Sequence, residues 1–168
     1  MKEDSKEFNV LFVCMGNICR SPMAHGVFLS LIRKHRLQPV IGVDSAGTHA
    51  YHIGEPPDPR ASDIASTRGY DLEHLRARRV GAPDIAEFDL ILVMDHQNQR
   101  DVLRLCTEDQ KDKVRLLLDF ALNAGTEEVP DPYYGGTKGF ETVLDLVEDA
   151  CQGLLEHISK HHCLKISV

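Results

Sequence analysis

FNVLFVCMGNICRSPMAHGVF, residues 8–28, opens with an apolar run, Val10-Leu11-Phe12-Val13, that ends at Cys14. Five loop residues follow, then Arg20, then Ser21-Pro22 and a stretch with apolar residues at helical spacing. That order predicts a buried strand, a tight loop and a helix start. The mouth of such a helix is an anion site, because free backbone N–H groups and the positive end of the helix dipole meet there and a loop nest adds further donors. Gly16 and Asn17 tolerate positive φ, which a nest requires. The residues Met15, Gly16, Asn17, Ile18, Cys19 and Arg20 are therefore read as binding a phosphate-sized dianion, with the Arg20 guanidinium able to grip two of its oxygens. The same field is expected to draw the Cys14 thiol below the free value of about 8.5, and a thiolate beneath a bound phosphate is a nucleophile.

Beyond this stretch, strands and helices alternate. Residues 8–14 form the first strand, and the helix begun at Arg20 runs to about residue 35, with Met23, Val27 and Leu31 inward and Arg33 and Lys34 near its negative end. Residues 40–47 read as a second strand, so strand, helix and strand make a right-handed parallel unit. Residues 48–59, rich in Gly, Pro and His, predict a surface loop, and a helix from about Pro59 follows with Asp58 as N-cap and Gly69 as its stop. A strand at 88–94, a helix from Asp95 to about Cys106, a strand at 114–118 and a long amphipathic helix at 139–161 complete the pattern. The expected fold class is α/β, a single domain built on a doubly wound four-stranded parallel sheet flanked by helices, with ligands beyond the carboxyl ends of the strands. Residues 1–7 are expected to be a disordered N-terminal extension, 8–160 the domain and 161–168 a C-terminal tail.

At 168 residues, with 42% hydrophobic and 27% charged side chains, the chain suits one soluble domain. A net charge of −7 argues against nucleic acid as a partner. No apolar run nears the roughly 18 residues of a membrane span and the start MKEDSKE lacks a signal peptide's apolar core, so no membrane insertion is expected. The five cysteines, Cys14, Cys19, Cys106, Cys151 and Cys163, lack paired spacing, which argues against a disulfide framework or a metal site. A thiolate enzyme needs reducing surroundings, so the cytoplasm is the expected location.

Downstream, Val129-Pro130-Asp131-Pro132-Tyr133-Tyr134-Gly135-Gly136 lies between the fourth strand and the last helix. Asp131, stiffened by a proline on each side, reads either as a general acid for a leaving group or as the start of a turn. The spacing of Cys14 to Arg20-Ser21 is the cysteine-phosphatase signature. Its N-terminal place, as VCMGNICRSPMA, resembles the low-molecular-weight protein tyrosine phosphatases, and the likeness runs from about residue 9 to about residue 155 with the DPYY-like second motif included.

The resemblance implies that Cys14 attacks phosphorus while Arg20 holds the phosphate. Asp131 would protonate the leaving oxygen, then deprotonate the water that cleaves a phosphocysteine, with no metal or cofactor. It further implies Ser21 as hydrogen-bond partner of the Cys14 sulfur, and Ser45 and His74 as supports for a left-handed Asn17. An exposed surface histidine is the alternative for His74, and Asp58 and Asp95 are read as structural. Met15, Ile18, Tyr51, Tyr133 and Tyr134 could wall an apolar slot that suits a phenyl ring, with ordinary surface packing the alternative for each tyrosine. Relatives that act on phosphoarginine tend to carry a small polar residue where this chain has Ile18, so phosphotyrosine is the implied substrate. Tyr51 stands where many members have tryptophan, and Met15 where others have leucine or threonine. The implied partners are a phosphotyrosine-containing protein, a tyrosine kinase among the candidates, and inorganic phosphate as product and inhibitor, with the chain acting as a monomer. Cys14 and Cys19 are either a pair that oxidation joins or a nucleophile beside an inert thiol.

Two rival readings remain open. Thioredoxin-linked arsenate reductases share this loop but need two further cysteines close together downstream, where mid-chain offers Cys106 alone. A non-catalytic phosphate-binding module would not require Cys14 and Asp131 together.

Overall fold

The computed structural model describes residues 6–133 and 136–162. Along the chain run β1 (Phe8–Cys14), α1 (Arg20–Lys34), β2 (Ile41–Gly47), α2 (Pro59–Thr67), α3 (Ala82–Glu87), β3 (Leu90–Val93), α4 (His96–Leu103), β4 (Val114–Leu116) and α5 (Thr137–His161). Short 3-10 turns occupy Glu108–Lys113 and Leu117–Phe120. The strands are parallel in the order β2-β1-β3-β4. The chain thus winds one way from β1 to β2 and the other way from β3 onward, which places the switch point at the carboxyl end of β1. Cys14 stands there, in register with Gly47 of β2 and one residue past the pairing of Val13 with Val93 of β3.

Alternation along β1 sends Val10, Phe12 and Cys14 to one face of the sheet and Leu11 and Val13 to the other. The first face is covered by α1, α2 and α5, which bury Met23, Phe28, Ala61, Phe140 and Val147 there. Ile85 of α3 and Val102 of α4 cover the second. With both faces covered, the two central strands carry continuous apolar runs, Val10–Val13 in β1 and Leu90–Val93 in β3. The long helix α5 packs on α1 and on the 3-10 turn at Leu117–Phe120. Gly153 permits that approach, because a Cβ there would stand 1.8 Å from the Phe120 carbonyl oxygen.

The doubly wound parallel sheet expected from the sequence is present, with differences in detail. Helix α3 has Ile85 as its single buried residue, too little for a periodic signal, and Asp84 accepts from the Gly81 N–H at its start (2.8 Å). The third and fourth strands are shorter than expected, and Leu117–Phe120 coils into a 3-10 turn instead of extending β4. Among the described residues, no helix is long and apolar enough to cross a membrane.

Candidate active site

Helix α1 begins behind Cys19, an N-cap residue that supplies no side-chain hydrogen bond, and its first turn holds no acidic residue. The helix's positive end is therefore not neutralised by its own side chains, while Arg33 and Lys34 compensate the other end. The loop from Met15 to Cys19 is held through three carbonyls, those of Cys14, Met15 and Ile18. Thr48 N–H donates to Cys14 O (2.9 Å), His49 N–H to Met15 O (3.0 Å) and Asp58 N–H to Ile18 O (2.8 Å). Gly47 lets β2 end against this loop, since a Cβ there would lie 2.7 Å from Met15 O.

Asn17 takes φ 56°, a left-handed conformation that asparagine tolerates. Its side chain secures it, with Nδ2 donating to Ser21 Oγ (2.7 Å) and Oδ1 accepting from the Arg78 N–H (3.0 Å). In this conformation the Asn17 N–H points at Cys14 Sγ, 3.2 Å away. Ser21 Oγ is 3.0 Å from the same sulfur. This oxygen accepts from Asn17, which leaves its own proton available to the sulfur, the other acceptor in reach being Ala46 O at 3.5 Å. The Asn17 N–H and the Ser21 hydroxyl therefore converge on a buried sulfur at the floor of a cavity.

Arg20 is 3% exposed. Its Nη1 donates to Asp95 Oδ2 (2.7 Å) and to Val129 O (3.1 Å), and its Nη2 stands 3.7 Å from Asp131 Oδ2. Burial opposes the guanidinium charge, but the Cys14 sulfur, Asp95 and Asp131 outweigh it and raise the Arg20 pKa above its ordinary value. Asp131 itself is oriented by the Tyr133 N–H, which donates to Oδ1 (3.0 Å). A cavity of about 200 Å³ is bounded by Cys14, Ile18, Cys19, Arg20, Asp131 and Tyr133, with Met15, Tyr51 and His52 at its lip. Tyr51 is 74% exposed and stacks on His49, ring centres 5.4 Å apart. Tyr134 lies outside the described residues.

Two residues, Ser45 and Asp95, are placed differently from the sequence reading, and His74 takes the exposed alternative. His74 is exposed on a surface turn and makes no bond to Asn17. Residues 77–80 run beside the end of β2, with Gly47 N–H donating to Arg78 O, so the backbone at 78 takes that place. Ser45 likewise does not reach Asn17, and its Oγ is 3.1 Å from Nδ1 of the buried His25, which the sequence reading missed. Asp95 does cap α4, accepting from the Asn98 N–H (2.8 Å), but its other oxygen grips Arg20. An acidic residue at the end of a neighbouring parallel strand was the available signal.

Cys14, Cys19, Cys106 and Cys151 are free thiols, and Cys163 lies outside the described residues. Burial, aided by Asp58 and Cys14, pushes the Cys19 thiol far above its usual range.

Residues 9–164 match a family model described as low molecular weight phosphotyrosine protein phosphatase. The low molecular weight protein-tyrosine-phosphatase of Streptomyces coelicolor is 44% identical over 151 residues, 88% of this chain and 92% of its own. A crystal structure of a protein tyrosine phosphatase from Entamoeba histolytica, with Hepes in its active site, superposes with a TM-score of 0.89 at 42% identity, covering 92% of this chain and 99% of that one. The Drosophila arginine phosphatase DARP has a TM-score of 0.80 at 32% identity over 88% of this chain and 96% of its own. The loop at the end of β1, the acid facing it and the match along nearly the whole sequence lead to one assignment: this chain belongs to the low molecular weight phosphotyrosine protein phosphatase family.

Proposed function

We propose that the chain hydrolyses phosphotyrosine monoesters in proteins through a phosphocysteine, with Cys14 as nucleophile, Arg20 as phosphate clamp and Asp131 as general acid and then base. The observation that carries this reading is the meeting of the three in one cavity, with two hydrogen-bond donors trained on the Cys14 sulfur. The loop residues Met15 to Arg20 would surround the phosphate with N–H groups and the guanidinium. Cys14 Sγ then forms a bond to phosphorus as the ester oxygen departs with a proton from Asp131. In the second step Asp131 takes a proton from water, whose oxygen displaces the sulfur and releases inorganic phosphate. Asn17 and Ser21 stabilise the sulfur both as attacking and as leaving group.

The likeness to an arginine phosphatase means that overall shape does not choose the ester. Ile18 and Tyr133 in the cavity wall favour an aryl ring, and Tyr51 at the lip extends the apolar surface. We read the working unit as a monomeric domain, residues 8–160, in a reducing compartment such as the cytoplasm, acting on a phosphotyrosine protein that a tyrosine kinase exemplifies. Cys19 adds a redox reading. Peroxide would oxidise Cys14 to a sulfenic acid; the Cys19 sulfur would then attack that sulfur, forming the disulfide and expelling the hydroxyl oxygen as water.

Turnover of p-nitrophenyl phosphate in the presence of chelator tests the catalytic reading. Cys14→Ser should abolish it, Asp131→Ala should lower it by about 100-fold or more, and inorganic phosphate should compete. Retained turnover in Cys14→Ser would refute the mechanism.

A further inference from the structure

Arg60, on the first turn of α2, takes no part in the steps above. Its guanidinium carbon stands 5.4 Å from the centre of the Tyr133 ring and 4.8 Å from that of Phe140, both within cation–π range. Tyr133 belongs to the loop that carries Asp131, and Phe140 lies in the first turn of α5, just beyond that loop. One cation thus faces an aromatic ring on each side of the acid loop's end. The cation is itself fixed by Asp58, whose Oδ1 accepts from the Arg60 N–H (2.8 Å) and Nε (3.1 Å) and whose Oδ2 accepts from Nη2 (2.9 Å). The hydrogen bond from Arg60 keeps the Asp58 carboxyl below the usual carboxylate range, so the pair stays charged. Asp58 in turn donates its N–H to Ile18 O, in the phosphate loop.

We propose that Arg60, forked on Asp58, is a positioning residue that ties the acid loop to the phosphate loop and thereby sets where Asp131 stands relative to Cys14. The role rests on the catalytic reading given above. The path runs from Ile18 through Asp58 and Arg60 to the Tyr133 ring, and the Tyr133 N–H holds Asp131 Oδ1. A displaced Tyr133 therefore carries the carboxylate with it. The Arg60 side chain is 45% exposed, so its loss removes little from the core, whereas the link it makes spans residues far apart in sequence. Lysine in its place would keep the charge and the ring contact but not the planar fork that Asp58 holds.

Hydrogen exchange of the Tyr133 amide, and kcat/KM for aryl phosphates of graded leaving-group acidity, are measured for wild type, Arg60→Ala and Arg60→Lys. Arg60→Ala should speed Tyr133 amide exchange by about tenfold while amides in the middle of α5 keep their protection. It should also lower kcat/KM for phenyl phosphate about tenfold more than for p-nitrophenyl phosphate, because the poorer leaving group depends more on a well-placed acid. Arg60→Lys should recover part of both effects. Unchanged exchange at Tyr133, exchange raised equally throughout α5, or equal loss of kcat/KM for both esters overturns the proposal. Exchange needs no turnover, so a wild-type protein inert toward both esters would sink the catalytic reading and leave the tie to be judged by exchange alone.

Discussion

His25 lies one turn past Ser21 on α1, buried, with its ring against Ser45. Burial, reinforced by His74 and partly offset by Asp44, brings its pKa down to about 4 from an ordinary 6.5. The unfolded chain therefore takes up a proton below about pH 6.5 that the folded protein refuses until about pH 4. The stability this ring contributes is complete above pH 6.5 and drains away as pH falls toward 4. From the ring alone, the expected loss between pH 7 and pH 5 is about 2 kcal/mol. Urea midpoints at those two pH values should shift less in His25→Asn than in wild type; equal shifts would show that another group takes the proton. At the same scale, the roles of Cys14, Arg20 and Asp131 could be suggested from residue type and spacing. The His25–Ser45 contact could not, because its partners come from different elements, 20 positions apart.

The acid loop is anchored differently from the phosphate loop. The phosphate loop is a local product of β1, Gly47 and the start of α1, and sequence patterning placed its ends within a residue of where they are. The acid loop leads into α5, which packs on α1 and, at its far end, on the 3-10 turn where Gly153 passes the Phe120 carbonyl. Gly153→Ala would push a methyl group into that backbone oxygen and is expected to cost about 1–3 kcal/mol, read as a lower urea midpoint with an unchanged slope. Activity per folded molecule should persist, since Gly153 stands several turns from Thr137 and the acid loop. An unshifted midpoint would mean that α5 and the 3-10 turn can separate freely. Helix α3 was missed because it buries one residue, but Asp84 three positions after Gly81 was a capping signal open to reading.

The two apolar clusters lie on opposite faces of one sheet, and the candidate site sits on the sheet's edge of carboxyl ends, so ligand binding there should be felt by the whole fold. Inorganic phosphate at 100 times its Kd is expected to stabilise the protein by about 2.7 kcal/mol, visible as a rise in Tm. Arg20→Ala should lose most of that rise while Cys14→Ser keeps it; a phosphate shift indifferent to Arg20 would place the anion elsewhere. The sequence by itself determined the parallel α/β architecture, the strand–loop–helix unit around Cys14 and Arg20, and the stiff Asp131 loop. These follow from apolar periodicity, caps and proline chemistry, all of which act between near neighbours in the chain. Only the tertiary structure decided that Asp95 grips Arg20, that the backbone of Arg78 rather than His74 holds Asn17, and that Asp58 and Arg60 reach the acid loop. Those contacts join segments tens of residues apart, and nothing in the spacing of residues along a chain records which of them the folded sheet will bring within hydrogen-bonding distance.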